Sequence, residues 1–125
     1  MFYVTQIITA LACAITYTTT APMSTSSNST SNTGDMTYYT PGLGSCGSTN
    51  TEAEAVVALS PSQFTSNPDA CGKTIQITQG GKTVTAQVVD KCPSCSPGSI
   101  DVSPTLFQSL SDLSVGRTEV TWSFK

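Results

Sequence analysis

The chain has 125 residues, 38% of them hydrophobic and only 10% charged, with five cysteines, no histidine and a net charge of −3. At roughly 100–150 residues per domain this is one domain with a short extension. The lack of histidine excludes His-dependent triads and His-containing zinc sites, and five unclustered basic residues leave no nucleic-acid footprint. Ser and Thr supply 39 residues. Polarity therefore comes from hydroxyls rather than charges, which suits a surface that meets neutral, hydroxyl-rich partners.

No Asp, Glu, Lys or Arg precedes Asp35. Residues 4–15 form an apolar run of signal-sequence length, far short of the ~20 residues a membrane span needs. A secretory signal over residues 1–21 is expected, which makes the protein extracellular and not membrane-bound, although its start carries no Lys or Arg and Pro22 follows Ala21. Residues 22–33 are mostly Ser, Thr and Asn, too polar to offset ordering entropy, and are expected to form a disordered linker. Asn28 opens an Asn-Ser-Thr glycosylation sequon. The folded domain is expected over 34–125.

Within that domain, residues 36–40 alternate as a strand until Pro41-Gly42-Leu43-Gly44 breaks it. Residues 55–59 are a continuous apolar run, the pattern of a strand buried on both faces. Ser60-Pro61-Ser62-Gln63 reads as the capped start of a short helix. Two alternating segments, 73–78 and 82–89, flank Gln79-Gly80-Gly81 and predict a hairpin. Residues 99–103 form a short strand. Ser103-Pro104 then opens a second helix whose Leu106, Phe107 and Leu110 share one face. Residues 117–124 form the closing strand, with Trp122 expected in the core beside Val120 and Phe124. Six strands and two short helices point to a mainly β, small closed barrel.

Loss of the signal removes Cys13 and leaves Cys46, Cys71, Cys92 and Cys95. An even count in a small secreted domain reads as two disulfides, with three connectivities open. A four-thiolate zinc site is the rival, but Cys46 and Cys71 lack the short paired spacing it uses. Cys92-Pro93-Ser94-Cys95 lacks the βαβ context of a redox motif. Two acids, Asp90 and Asp101, fall in apolar strands. A buried carboxylate costs several kcal/mol unless hydrogen-bonded, so each is either satisfied by backbone donors or exposed in a groove for use.

Five segments carry a resemblance: Thr37-Tyr38-Tyr39-Thr40, Gly44-Ser45-Cys46-Gly47, Cys71-Gly72-Lys73, Val88-Val89-Asp90-Lys91-Cys92 and Ile100-Asp101-Val102-Ser103-Pro104. With the closing Val120-Thr121-Trp122, they resemble the double-psi β-barrels of the rare lipoprotein A, expansin, barwin and family 45 endoglucanase group. The chain is most similar to small, single-domain fungal members such as the loosenins. The resemblance implies a six-stranded double-psi β-barrel with disulfides Cys46–Cys71 and Cys92–Cys95. It places Asp101 at the general acid of the family 45 glycosidases, which expansins need for wall loosening. Asp90 takes the acid of the segment before the Cys-Pro loop, and Tyr38 and Tyr39 match the aromatic segment of the binding groove. Period two sends one of these tyrosines inward and the other outward.

Glycoside hydrolysis normally needs two carboxyl groups. The position of the first-strand base is Thr40 here, a hydroxyl, and nothing in the spacing of Asp35 or Glu52 recommends either as a stand-in. The resemblance therefore implies a secreted protein that binds cell-wall polysaccharide (cellulose, chitin or a related glycan) and loosens it without hydrolysis. Asp101 would act with Asp90, Thr37, Thr40 and a tyrosine, as a monomer, without cofactor or metal and with no nucleic-acid or membrane partner. Two alternatives stay open. One is a cysteine-protease inhibitor or effector that binds a protein through loop 41–54, since an inhibitor of papain shares this barrel. The other is a lytic glycan-cleaving enzyme with a single Asp.

Overall fold

The computed structural model describes residues 12–20 and 30–125. Asn28, most of the expected signal and most of the expected linker lie outside the described residues. Six strands are formed: β1 (Asn32–Tyr38), β2 (Val56–Leu59), β3 (Thr74–Gln79), β4 (Lys82–Lys91), β5 (Ile100–Val102) and β6 (Thr118–Phe124). Helix α1 (Pro61–Ser66) follows β2 and helix α2 (Pro104–Leu110) follows β5. A 3₁₀ turn, Leu113–Val115, precedes β6.

The strands close on themselves in the order β1-β5-β2-β4-β3-β6. Two neighbouring pairs, β1/β5 and β2/β4, run parallel, and the other four contacts are antiparallel. Closure follows from the alternation in the sequence. Met36, Val57, Leu59, Ile75, Ile77, Ala86, Val88, Ile100, Val102, Val120 and Trp122 all point into one core. Leu106, Phe107 and Leu110 of α2 pack onto that core, so the shared apolar face of this helix is the one it buries. The β3–β4 hairpin turns at Gly80 and Gly81, both at positive φ (56° and 80°), as a two-residue turn between right-twisted strands requires.

Strand β1 begins at Asn32, before the expected start of the domain at Gly34, because Asn32 and Thr33 pair with Trp122 and Thr121 of β6. Backbone pairing recruits two residues that composition assigns to the linker. The helix starts also differ from expectation. Ser60 and Ser103 stand at the N-caps, but neither hydroxyl caps its helix. Ser60 instead donates to the Pro97 carbonyl (3.2 Å), and Ser103 accepts from the Val56 N–H (3.5 Å). Gln63, the expected capping-box partner, donates to Asn32 Oδ1 (3.1 Å) and the Pro97 carbonyl (2.8 Å). Both serines are almost fully buried, and a buried hydroxyl is best satisfied by a backbone group across the fold.

Two disulfides are present, Cys46–Cys71 and Cys92–Cys95. All four barrel cysteines are thereby consumed, so the four-thiolate arrangement weighed above does not exist. Trp122 is 1% exposed and donates its indole N–H to the Gly98 carbonyl (2.9 Å). Among the described residues, no helix is long and apolar enough to cross a membrane.

Two stability predictions follow from this packing. A Cβ on Gly98 would stand 2.1 Å from the Thr33 carbonyl oxygen. Gly98→Ala is therefore expected to lower stability by at least about 1–3 kcal/mol, read by denaturant or thermal unfolding. Loop entropy predicts a larger loss for Cys46→Ser/Cys71→Ser, a sequence separation of 25, than for Cys92→Ser/Cys95→Ser, a separation of 3. The expected costs are about 3.5 and about 1.6 kcal/mol. Equal losses would contradict that ranking.

Candidate functional site: a polar row across four strands

Strand register lines up one row of side chains on the outside of the barrel. Thr37 of β1 pairs with Asp101 of β5, Asp101 faces Ala58 of β2, and Ala58 pairs with Asp90 of β4. Two strand spacings, roughly 9.5 Å, therefore separate the backbones of the two acids. The residue between them is Ala58, which is 3% exposed.

Period two alone would not place Asp90 there. Ala86 and Val88 point into the core, and Asp90 shares their phase. A bulge between β2 and β4 changes this: Val57 pairs with Val88, but Ala58 pairs with Asp90, leaving Val89 as the extra residue. A bulge re-aims the side chains beyond it. Asp90 is thus turned from the core phase onto the outer row.

The two carboxyls sit in different environments. Asp90 accepts at Oδ1 from the Ser45 N–H (2.8 Å), the Ser45 hydroxyl and the Lys91 N–H (2.8 Å). Partial burial pushes its pKa up, but these three donors outweigh that and hold it below the ordinary carboxylate range. Asp101 is half-buried. Burial raises its pKa, the Thr37 hydroxyl donating at 3.1 Å pulls the other way, and the Asp90 charge raises it further, for a net increase. Tyr39 belongs to the same cluster: burial, then the Asp90 charge, then the Asp101 charge push its phenol up to about 12.

Thr37, Tyr39, Asp90 and Asp101 are therefore brought together. Tyr38 and Thr40 face other partners. The Tyr38 ring packs on Phe107 of α2 (centroids 4.9 Å apart), and its hydroxyl donates to the Leu113 carbonyl (3.0 Å). Thr40 donates to Glu52 Oε1 (2.9 Å), which ties the following loop to the end of β1. Neither tyrosine enters the core. Tyr38 follows Met36 in phase but meets α2 at the barrel end, and it stays 38% exposed. Asp35 forms an ion pair with Arg117 (3.0 Å). Ser45 and Ala58 were not singled out from the sequence. The small residue inside the 55–59 run, and the hydroxyl beside Cys46, were the available signals.

The architecture and site define a small, disulfide-bonded β-barrel with a polar outer groove. Allergen Asp f 7 of Aspergillus fumigatus is 45% identical over 98 residues, covering 73% of this chain and 36% of that protein. The chain thus spans about a third of the Asp f 7 proteins it matches. A papain inhibitor of Streptomyces mobaraensis is 36% identical over 100 residues, covering 74% of this chain and 70% of the inhibitor. The solved Streptomyces papain inhibitor superposes with a TM-score of 0.68 at 34% identity, over 76% of this chain and 94% of its own. An expansin of Clavibacter michiganensis, solved in complex with cellohexaose, superposes with a TM-score of 0.69 at 26% identity, over 77% of this chain and 50% of its own. No protein-family model matches the sequence. The chain belongs to the barwin- and expansin-like double-psi β-barrel proteins.

The opposite pKa shifts predict opposite pH effects. Asp101 binds its proton more tightly folded than unfolded, so its contribution to stability falls as pH rises above the ordinary aspartate value near 3.9. Asp90 contributes stability that is present above that value and lost as pH falls through its lowered pKa. At neutral pH, Asp101→Asn is expected to keep or raise the melting temperature and Asp90→Asn to lower it. Both differences should shrink in acid, as thermal unfolding across pH would show.

Proposed function

We propose that this protein is secreted, with residues 1–21 as its signal, and that it binds a neutral cell-wall polysaccharide across the row Thr37–Asp101–Ala58–Asp90, loosening it without hydrolysis. The observation that carries this reading is the strand register that sets Thr37, Asp101 and Asp90 in one row across the barrel. Asp101 and Thr37 offer hydrogen-bonding groups to sugar hydroxyls, and the Tyr39 ring offers an apolar face. The solved relative that holds cellohexaose supports the same class of ligand.

The chemistry of the two acids favours binding over cutting. An inverting hydrolase needs a base whose pKa lies near the working pH. The Asp90 pKa is held low and its Oδ1 is committed to three donors, so it is a weak base for activating water. At the first-strand position, Thr40 brings a hydroxyl already given to Glu52.

The test is retention on insoluble cellulose and chitin, with reducing ends measured in the supernatant. The wild type is expected to be retained on at least one glycan and to release no sugar, and folded Asp101→Ala to wash off. Soluble oligosaccharides that disappear in Asp101→Asn would instead support lytic cleavage.

A second reading has its own observation. Loop 40–55 is rigidly braced by the Cys46–Cys71 disulfide, the Leu43–Thr49 bridge and the Thr40–Glu52 hydrogen bond. It presents Leu43, 76% exposed. A preorganised loop with a projecting apolar side chain suits a protein partner, and a papain inhibitor is among the relatives. Inhibition of papain by the wild type, weakened in Leu43→Asp, together with no retention on either glycan, would move the function to this class.

A further inference from the structure

Asp101 has a second side. Away from Asp90, a polar cleft opens beyond Thr37, bounded by Ser99, the Cys92–Cys95 loop and the Asp35–Arg117 pair. The sequence treated Asp35 only as a possible stand-in base and gave Arg117 no role. We infer that this cleft is a second sugar subsite, and that the Asp35–Arg117 pair reads adjacent hydroxyls of a neutral pyranose bound there. This inference rests on the glycan-binding reading above.

The argument begins with what the pair leaves unsatisfied. Arg117 gives one N–H, on Nη1, to Asp35 Oδ2 at 3.0 Å. A guanidinium carries five donors in a fixed planar fork, and a carboxylate accepts through both oxygens. The pair therefore presents spare donors beside a spare acceptor. A vicinal diol is complementary to this, since one hydroxyl accepts from the fork and the other donates to the carboxylate.

The pair is held in place from below. The backbone N–H of Asp35 donates to Ser99 Oγ (3.3 Å), which joins β1 to the segment entering β5. Met36 pairs with both Ile100 of β5 and Thr118 of β6, which brings together Asp35 of β1, Asp101 of β5 and Arg117, the residue that leads into β6. Thr37, bonded to Asp101 at 3.1 Å, lines the cleft as well. A ligand lying along the polar row would pass Asp101 and Thr37 and meet the ion pair next.

Charge selects among ligands. Two aspartates and a single arginine line the cleft, so its net charge is negative when both acids are ionised. Uronate or phosphate groups are repelled by that balance, while neutral hydroxyls can use every group present. An acetamido group at C2 removes one hydroxyl of the diol. Glucan is therefore favoured over chitin at this subsite.

Binding of cellohexaose and chitohexaose, measured by calorimetry on the intact protein, tests the inference. Arg117→Ala and Asp35→Asn are expected to weaken cellohexaose binding roughly tenfold, the scale of one charged hydrogen bond. Chitohexaose binding should change less. Arg117→Lys should remain weak, because it keeps the charge and loses the fork. Arg117 is exposed and Asp35 about half-exposed, so thermal unfolding is expected to confirm folded variants. If Asp101→Asn abolishes binding while Arg117→Ala and Asp35→Asn leave cellohexaose affinity unchanged, the subsite is refuted and the glycan reading stands. If the wild type binds neither hexaose, both fall.

Discussion

One extra residue in β4 organises the candidate site. Val89 breaks the pairing of β2 with β4, and its main chain then becomes an anchor for the loop after β1. The Cys46 N–H donates to the Val89 carbonyl (3.2 Å), and a Cβ on Gly44 would stand 2.2 Å from the same oxygen. Ser45, between them, reaches Asp90 with its N–H and its hydroxyl, and that hydroxyl also accepts from the Lys91 N–H (2.9 Å). The bulge thus does two things together. It turns Asp90 outward, and it docks the disulfide-bonded loop that supplies the donors Asp90 needs.

The electrostatics follow from how few charges the chain carries. Arg117 is paired with Asp35, Lys73 with Asp69, and the Lys91 ammonium lies over the Phe64 ring at 5.2 Å. None of these cations is spent on Asp101, whose hydrogen-bond partner among the described residues is the Thr37 hydroxyl. A half-buried carboxyl satisfied by a single neutral donor retains capacity for a ligand. Asp90, by contrast, takes three donors on Oδ1. The two acids thus differ in how far the protein's own donors satisfy them.

Much of the barrel was legible from residue alternation. The 55–59 run, the hairpin at Gly80-Gly81 and the buried face of α2 all follow from period and composition. What escaped depends on pairing between distant segments. The bulge leaves no mark on β4 because Val88-Val89-Asp90 reads equally well in either phase. Ser60 and Ser103 carry every local sign of helix caps, yet burial assigns their hydroxyls to backbone groups on other segments. Asn32 and Thr33 look like linker until β6 is placed beside them. Of the candidate site, the acids and Thr37 stood out by sequence, whereas the separation of Tyr39 from Tyr38 required the position of α2.

Closure of the sheet constrains synthesis of the chain. Strand β1 takes one neighbour from β5 and the other from β6, and β3 also waits for β6. On a ribosome, therefore, the first strand has no partner in the barrel until β5 emerges, and its second edge stays open until β6 has cleared the exit tunnel. Contacts this distant in sequence are slow to form, and half-made sheets expose edges that associate with one another. The Cys46–Cys71 cross-link and the β3–β4 hairpin are the local exceptions, able to form before release. Nascent chains are thus most vulnerable to aggregation just before the final strand inserts, and an oxidising folding compartment shortens that interval by sealing the first loop early.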